Sequence, residues 1–498
     1  MTYRLRRDPS RTREESQQGS FIQEDNMNRD PPYLLWFAVA FVLSLTIYFA
    51  LESDDDAYEK VYFQGSCGDD ATYGFDTRNG LLEITGSGEI TEHPWSAYSS
   101  HVYNVKIEGT ITSIGESTFE RCNLMVSVTI PDTVTSIGDF AFGRCYSLQS
   151  VDLPDSVETV GIGAFCYCYD LESVDLSEII TIGEGAFYKC TSLKSITIPD
   201  TVTSIGEYAF SLSALQSLVI PDSVVTLDMA AFAECHSLAS VTVGRSVATF
   251  GDYVFYGCEA LTKLKFNAVS CADLGIDSDM FCRAGSESDG FSVIFGDSVK
   301  HIPANLFFVS LSGGQPNLIS VDTGDSVESI GQMAFLSCGS LETVTIGKSV
   351  KSIGNLAFGE CSHITTVNFN AESCNELKQS STVFYGAGSD GPGISVVFGD
   401  SVESVPAFLF YVNSDQHIPH VNSILMADSI TSIGSATFGS CNDLSSIYIT
   451  SGLSFYVSDS FGDLVFLDED GVTELSLSSH NLYGSTFTGS NGRLVKQS

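Results

Sequence analysis

Positive charge is what this chain has least of for its length. Its 498 residues include 23 lysines and arginines against 62 aspartates and glutamates, a formal net charge of −39. A surface so anionic repels nucleic acid and acidic glycans and suits cations or basic partners, so no nucleic-acid partner is expected. The same acids also simply solvate turns, as at Asp132, Asp155 and Asp200. No asparagine begins an N-x-S/T sequon, which excludes glycosylation at that motif. The eight histidines are scattered, and H-E-x-x-H and G-x-S-x-G are both missing. Without a nucleophile–base constellation, no enzyme activity is expected. No C-x2-C pair or finger-like Cys/His spacing occurs, which excludes a structural zinc. The nearest cluster, Asp415-x-His417-x-x-His420, lacks the tight ligand set a metal needs, so no metal or cofactor is expected. Long hydrophobic runs are missing except one, Tyr33 to Leu51.

What the chain has in excess is repetition. Ser127 to Gln149, SVTIPDTVTSIGDFAFGRCYSLQ, recurs in close copies beginning at Asn104, Ser127, Ser150, Ser173, Ser195, Ser217, Ser240, Lys263, Ser292, Ser320, Thr343, Thr366, Ser395, Ser423 and Ser446. A period in the low twenties with apolar residues at fixed offsets marks a solenoid, in which each unit buries its apolar face only against its neighbours. Ser127-Val128-Thr129-Ile130 alternates with period two, so Val128 and Ile130 point inward and Ser127 and Thr129 outward. Pro131 ends the strand, Val134 and Ile137 continue the apolar series, and Gly138 supplies a tight bend. Phe142, Cys145 and Leu148 follow at a helical spacing, which predicts a short helical or irregular return with one inward side.

Stacking turns each position into a column. The aromatic one runs Phe119, Phe142, Phe165, Phe187, Phe210, Phe232, Phe255, then Phe335, Phe358 and Phe438. At a strand spacing of about 4.8 Å these rings come within packing distance, and fifteen rungs span roughly 70 Å. Nine cysteines share one position: Cys122, Cys145, Cys168, Cys190, Cys235, Cys258, Cys338, Cys361 and Cys441. They read as buried thiols rather than bridges, since parallel side chains give poor disulfide torsions.

The unit, with TIP on the strand, then SIG, AF, C and SL, resembles the BspA-like or Treponema pallidum type of leucine-rich repeat over about Asn104 to Leu453. The resemblance implies a leucine-rich repeat solenoid of α/β class, a parallel strand ladder with short helical or irregular returns; the flanking residues add small β caps and one preceding transmembrane helix. It also implies a surface protein that adheres or binds.

Around the repeats the chain divides into further parts. Residues 1–32 form a polar tail with six arginines and six acids, so the whole negative excess lies beyond it. Residues 33–51 are nineteen without a charge, about 28 Å as a helix, and read as a retained signal anchor. The run exceeds the usual apolar core of a cleaved secretory signal and has no small-residue cleavage site after it. The arginine-rich side stays cytoplasmic and everything after it is extracellular, a single-pass cell-membrane topology. Residues 52–66 read as an acidic linker and 67–103 as an N-terminal β cap, with a type I′ turn at Asn79-Gly80. The tryptophan in this cap, Trp95, reads as a packing residue. The solenoid spans 104–452, and 453–498 read as a C-terminal β cap in which Asp468-Glu469-Asp470-Gly471 is a hairpin turn rather than a calcium loop. Within the array, 240–342 and 343–445 form a duplicated block 103 residues apart, with two expanded units in each copy.

For function there remains the outward strand face. Its third position includes Thr129, Asp152, Asp175, Thr197, Thr242, Asp322 and Thr345, the candidate binding residues. The face is broad, polar and poor in Trp, Tyr and Arg, so it fits an extended contact with an extracellular protein or cell-surface macromolecule better than a small-molecule pocket. The expected role is a membrane-anchored surface protein for adhesion or macromolecular binding. A structural surface coat is the alternative, and an extracellular enzyme ranks last.

Overall fold

The structure, a computed structural model, describes residues 62–176, 178–310, 314–374, 377–413, 416–449, 465–467, 485–490 and 493–497. The apolar run 33–51, Asp415 and residues 468–471 lie outside the described residues. Among the described residues no helix is long and apolar enough to cross a membrane.

The chain enters through three antiparallel strands, β1 (Tyr62–Ser66), β2 (Asp70–Asp76) and β3 (Leu81–Ile90). Tyr62–Ser66, in the stretch expected as linker, pairs with Thr72–Asp76 of β2, and its Phe63 ring stacks on Tyr98 at 4.6 Å. The Asn79-Gly80 pair does not make a two-residue I′ turn. Four residues, 77–80, connect the strands, and of these only Gly80 is left-handed, with φ +66°. The Asp76 carboxylate accepts the Arg78 backbone N–H at 3.0 Å and also pairs with its guanidinium, a side-chain clamp that favours the wider loop.

Strand β3 seeds two ladders. Its first half pairs in parallel with β4 (Asn104–Ile107) and its second half with β5 (Thr110–Ile114). Gly86 and Gly88 at the join have φ of +122° and +81°, and a Cβ at Gly86 would meet the Asp70 carbonyl oxygen at 2.1 Å. Glycine is therefore required where one strand divides its partners.

The first ladder carries the expected inward columns, such as Val241, Leu264, Val293, Val321 and Val344. The second is a ladder of its own, built on the apolar series that Ile137 continues. Ser136–Ile137, Thr159–Val160, Thr181–Ile182, Ser204–Ile205, Thr226–Leu227 and Thr249–Phe250 pair rung to rung in parallel, starting from β5. The ladders break at different places. The first has no strand at 195–198, where the second continues. The second has no strand between Phe250 and His301, or between Ile353 and Ser404, where the expanded units lack a Ser-Ile-Gly segment and the first is at its most regular. At each break the other ladder bridges it, so the interior is one cluster from Cys67 to Leu494.

The returns are not helical. Among the described residues the one helix is the 3-10 helix Pro94–His101. In each return alternate N–H groups reach the next rung instead: Phe140 to Ile162 O at 2.8 Å, Phe142 to Ala164 O at 2.8 Å, Arg144 to Cys166 O at 2.7 Å. Aiming those donors along the stack turns Phe140 and Arg144 left-handed, with φ of 54° and 62°, and Tyr167 and Lys189 repeat the conformation at 60° and 59°. A left-handed side-chain-bearing residue costs roughly 1–2 kcal/mol. The inter-rung hydrogen bonds offset that cost, and a run of turns thereby replaces the helix that the spacing of Phe142, Cys145 and Leu148 suggested.

The ring column is longer than the expected one. From Trp95 it runs through Phe119, Phe142, Phe165, Phe187, Phe210, Phe232 and Phe255 at centroid separations of 5.1–5.9 Å. It continues through Phe281, Phe307, Phe335, Phe358, Phe384 and Phe410 to Phe438 without a missing rung, at 4.7–5.9 Å. Trp95 is buried at its head and donates its indole N–H to Thr118 O at 3.0 Å.

Beside the rings all fourteen cysteines are buried and unbridged. The thiols of Cys145, Cys168, Cys190, Cys235, Cys258 and Cys361 each donate to the carbonyl oxygen of the phenylalanine one rung back, at 3.1–3.4 Å. A small apolar group with one weak donor fits a column that must both pack and satisfy a carbonyl. A thiol reagent should therefore find almost nothing in the native chain within minutes and fourteen groups after denaturation. Rapid native labelling of three or more would contradict the burial.

At the far end Ser446–Ile449 pairs antiparallel with Ser485–Ser490, which pairs antiparallel with Arg493–Lys496. This reversal covers the last open strand edge, which would otherwise invite another chain.

Candidate interaction surface

Two surfaces present side chains in register columns. On the strand face Thr129 lies beside Lys106, and Lys106 is paired with Glu108 at 2.7 Å. Asp152 and Asp175 follow the paired segments Ser150–Val151 and Ser173–Val174, so the two exposed carboxylates occupy neighbouring rungs. Thr197 stands in the stretch where this ladder has no strand. From Val219 the column is continuous: Val219, Thr242, Lys265, Ile294, Asp322, Thr345, Asn368, Val397, Leu425 and Tyr448. Thus Asp322 and Thr345 are direct partners, while Lys265 and Ile294 separate them from Thr242. The seven nominated residues form no single cluster.

Some of these groups already have local partners. Asp322 accepts the Gly324 backbone N–H at 2.9 Å, and Thr345 accepts from the Asn368 amide at 3.3 Å. First-position hydroxyls bond along the stack, Ser127 to Asn104 at 2.9 Å and Ser423 to Ser395 at 3.0 Å. Val219 and Leu425 are 64% and 54% exposed, so the face is more apolar at these rungs than its threonines and aspartates suggest.

The second surface lies on the returns. The left-handed position two residues after each stacked phenylalanine carries Arg121, Arg144, Tyr167 and Lys189 on successive rungs, aligned by the N–H bonds described above. Beside it Tyr146 and Tyr169 stack at 5.0 Å, each 38% exposed. The Tyr167 ring has the Arg144 guanidinium carbon 5.5 Å and the Lys189 ammonium 5.4 Å from its centroid. It meets Tyr169 and Tyr188 edge-on at 6.2 and 5.4 Å. Arg121 and Arg144 share Glu120, at 3.5 and 3.9 Å. On the next rung Tyr208 packs edge-on against Tyr188. Burial, then the charges of Glu207 and Glu184, push its phenol up. Glu184, Glu207 and Asp228 are themselves raised, chiefly by burial. Sequence reasoning missed this surface. The available signal was two tyrosines and two arginines each one repeat apart, Tyr146 with Tyr169 and Arg121 with Arg144.

Among the described residues no three His, Cys, Asp or Glu side chains are grouped to hold a metal ion. His417 stacks on Tyr385 at 4.8 Å and His420 pairs with Asp443 at 2.9 Å, so the two histidines are held by different neighbours.

A search of curated proteins found no match. Among solved structures, a leucine-rich repeat protein from Bacteroides ovatus is 24% identical, with 60% of this chain and 93% of that one covered and a TM-score of 0.37. A leucine-rich cell surface protein from Faecalibacterium prausnitzii is 22% identical, covering 76% of this chain and 95% of that one, with a TM-score of 0.35. The leucine-rich repeat protein of T. pallidum is 26% identical over 38% of this chain and 86% of its own, with a TM-score of 0.31. The family model for the BspA type leucine rich repeat region matches residues 96–211, 164–287, 275–414 and 392–469. With that match running through most of the length and the rung-by-rung geometry above, the chain belongs to the BspA-type leucine-rich repeat family.

Proposed function

We propose that this chain is a cell-surface binding protein, anchored through residues 33–51 with its repeats outside the cell, and that it engages an extracellular protein or cell-surface macromolecule. The observation that carries the reading is the unbroken third-position column from Val219 to Tyr448, ten rungs of outward side chains held in register by parallel pairing. Such a surface suits an extended partner whose affinity is summed over many weak contacts. The uncharged run 33–51 supports the anchor. The excess of acids favours a partner with basic groups.

The test is adherence of cells displaying the full chain to immobilised extracellular matrix proteins and to other cells. Adherence should fall several-fold in the Asp152→Lys, Asp175→Lys double variant, because the adjacent carboxylates become repulsive toward a basic partner. Display without adherence, combined with self-association into sheets, would reject binding in favour of a coat.

A further inference from the structure

The return surface at the first rungs goes beyond that reading, since it shares no residue with the strand face. In a chain of net charge −39, Arg121, Arg144 and Lys189 stand in one column, with Glu120 the carboxylate shared by the two arginines. Among the described residues Lys189 has no ion pair and instead lies over the Tyr167 and Tyr188 rings, at 5.4 and 5.3 Å. Tyrosine and arginine are the side chains that dominate binding hot spots, because each brings contact area and a polar tip at small entropic cost. The matching position on the next three rungs carries Leu212, Glu234 and Gly257, which offer no such anchors, and Arg283 on the rung after them is already paired with Glu259.

We propose that this patch is a docking site for a short acidic segment of a partner protein. Three features choose that occupant. The cations select negative charge, and Arg144 can hold a carboxylate through two parallel hydrogen bonds. The Tyr167 ring carries the two cations and Tyr146 and Tyr169 cover one face of each other, so edges, hydroxyls and cations make up much of what a ligand meets. That arrangement disfavours a neutral sugar, which stacks on an open ring face, and favours acceptor oxygens. The column from Arg121 to Lys189 covers three steps of the stack, about 15 Å at the strand spacing. A long polyanion would run past it into the surrounding acidic surface and be repelled. A few carboxylates fit within it.

The experiment measures binding of an end-blocked hexaglutamate peptide to the full chain, with heparin and neutral dextran as competing probes. Saturable peptide binding is expected, weakening as salt is raised. It should weaken at least tenfold in the Arg144→Glu, Lys189→Glu double variant and severalfold in Tyr169→Ala. Arg245→Glu, which reverses a cation paired with Asp222, should leave it unchanged. Denaturation midpoints check that each variant folds, and Lys189→Gln alone replaces the double variant if that one does not. No saturable hexaglutamate binding, equal weakening by Arg245→Glu, or Arg144-dependent binding of heparin in preference to the peptide would each overturn the proposal. Adherence through the strand face is measured separately, so either conclusion can fail without the other.

Discussion

Above pH 9 the folded chain is expected to lose stability steeply while remaining nearly indifferent to pH between 7 and 8.5. The cause is the cysteine column. Cys145, Cys168, Cys190, Cys235, Cys258, Cys338, Cys361 and Cys441 all have their thiols pushed upward from the ordinary value of 9.0, with desolvation the largest cause in every case. In the folded interior they stay neutral, whereas in the unfolded chain they ionise near 9. The stability they lend is therefore complete below pH 9 and is lost as pH rises from there toward the raised folded values. Each thiol lowers the unfolding free energy by about 1.4 kcal/mol per pH unit in that window, or about 11 kcal/mol per unit for the eight together. That is comparable to the whole stability of an ordinary domain. Cys122 and Cys235, raised to about 12 and about 11, mark how far the window extends for less extreme members. The urea midpoint, followed from pH 7 to 10.5 in reducing buffer, reads the effect directly. Replacing Cys168 and Cys258 by alanine should lessen the slope by about 3 kcal/mol per pH unit. A midpoint unchanged up to pH 10.5 would mean that the thiols are not sealed in the core.

The second large effect is expected from Phe165→Ala. Phe165 lies 5.1 Å from Phe142 at an interplanar angle of 2° and 5.4 Å from Phe187 at 3°, fully buried. Truncation removes the transfer energy of the ring and leaves a cavity, together about 3–5 kcal/mol. Each lost ring pair adds about 1 kcal/mol. The position should amplify this. The first-ladder strands on either side of it, Ser150–Val151 and Ser173–Val174, have two residues each, and the unit after them has no strand at 195–198, so the rings supply much of the coupling between rungs here. In a stack where each unit is stabilised by its neighbours, weakening one interface uncouples the parts on either side. The denaturation curve of Phe165→Ala should therefore divide into two transitions. In Phe335→Ala, next to strands of four and five residues, it should shift as one. A single transition within about 1 kcal/mol of wild type for Phe165→Ala would show that the ring column is not what couples the rungs.

Much of the fold could be read from the order of residues. The alternation in Ser127–Ile130, the recurring phenylalanine and the recurring cysteine each state which side chains face inward, because a rigid repeat length carries one unit's pattern to the next. Burial of the nine column thiols followed from the same logic, and that of Trp95 from the general preference of tryptophan for the interior. The expanded units broke that transfer. Phe281, Phe307, Phe384 and Phe410 belong to the ring column, yet their spacing departs from the common period, and only stacking identifies them. The helical spacing of Phe142, Cys145 and Leu148 misled for a related reason. Which backbone donors are free is decided by the rung above, and hydrogen bonds to Ile162, Ala164 and Cys166 outweigh a local helix.

The surfaces divide in the same way. Outward positions such as Asp152 and Asp175 are legible from period two alone. The gathering of Arg144, Tyr146, Tyr169 and Lys189 is not, because it depends on left-handed turns aligned across rungs. Residue order alone was enough for the repeat, its inward columns and its family, since these depend on intervals along one strand of chain. Only the assembled stack settles where the two ladders break, how the rings cross the longer units and which side chains share the return face. Those are relations between residues about one repeat apart, and backbone pairing between rungs, not local preference, sets them.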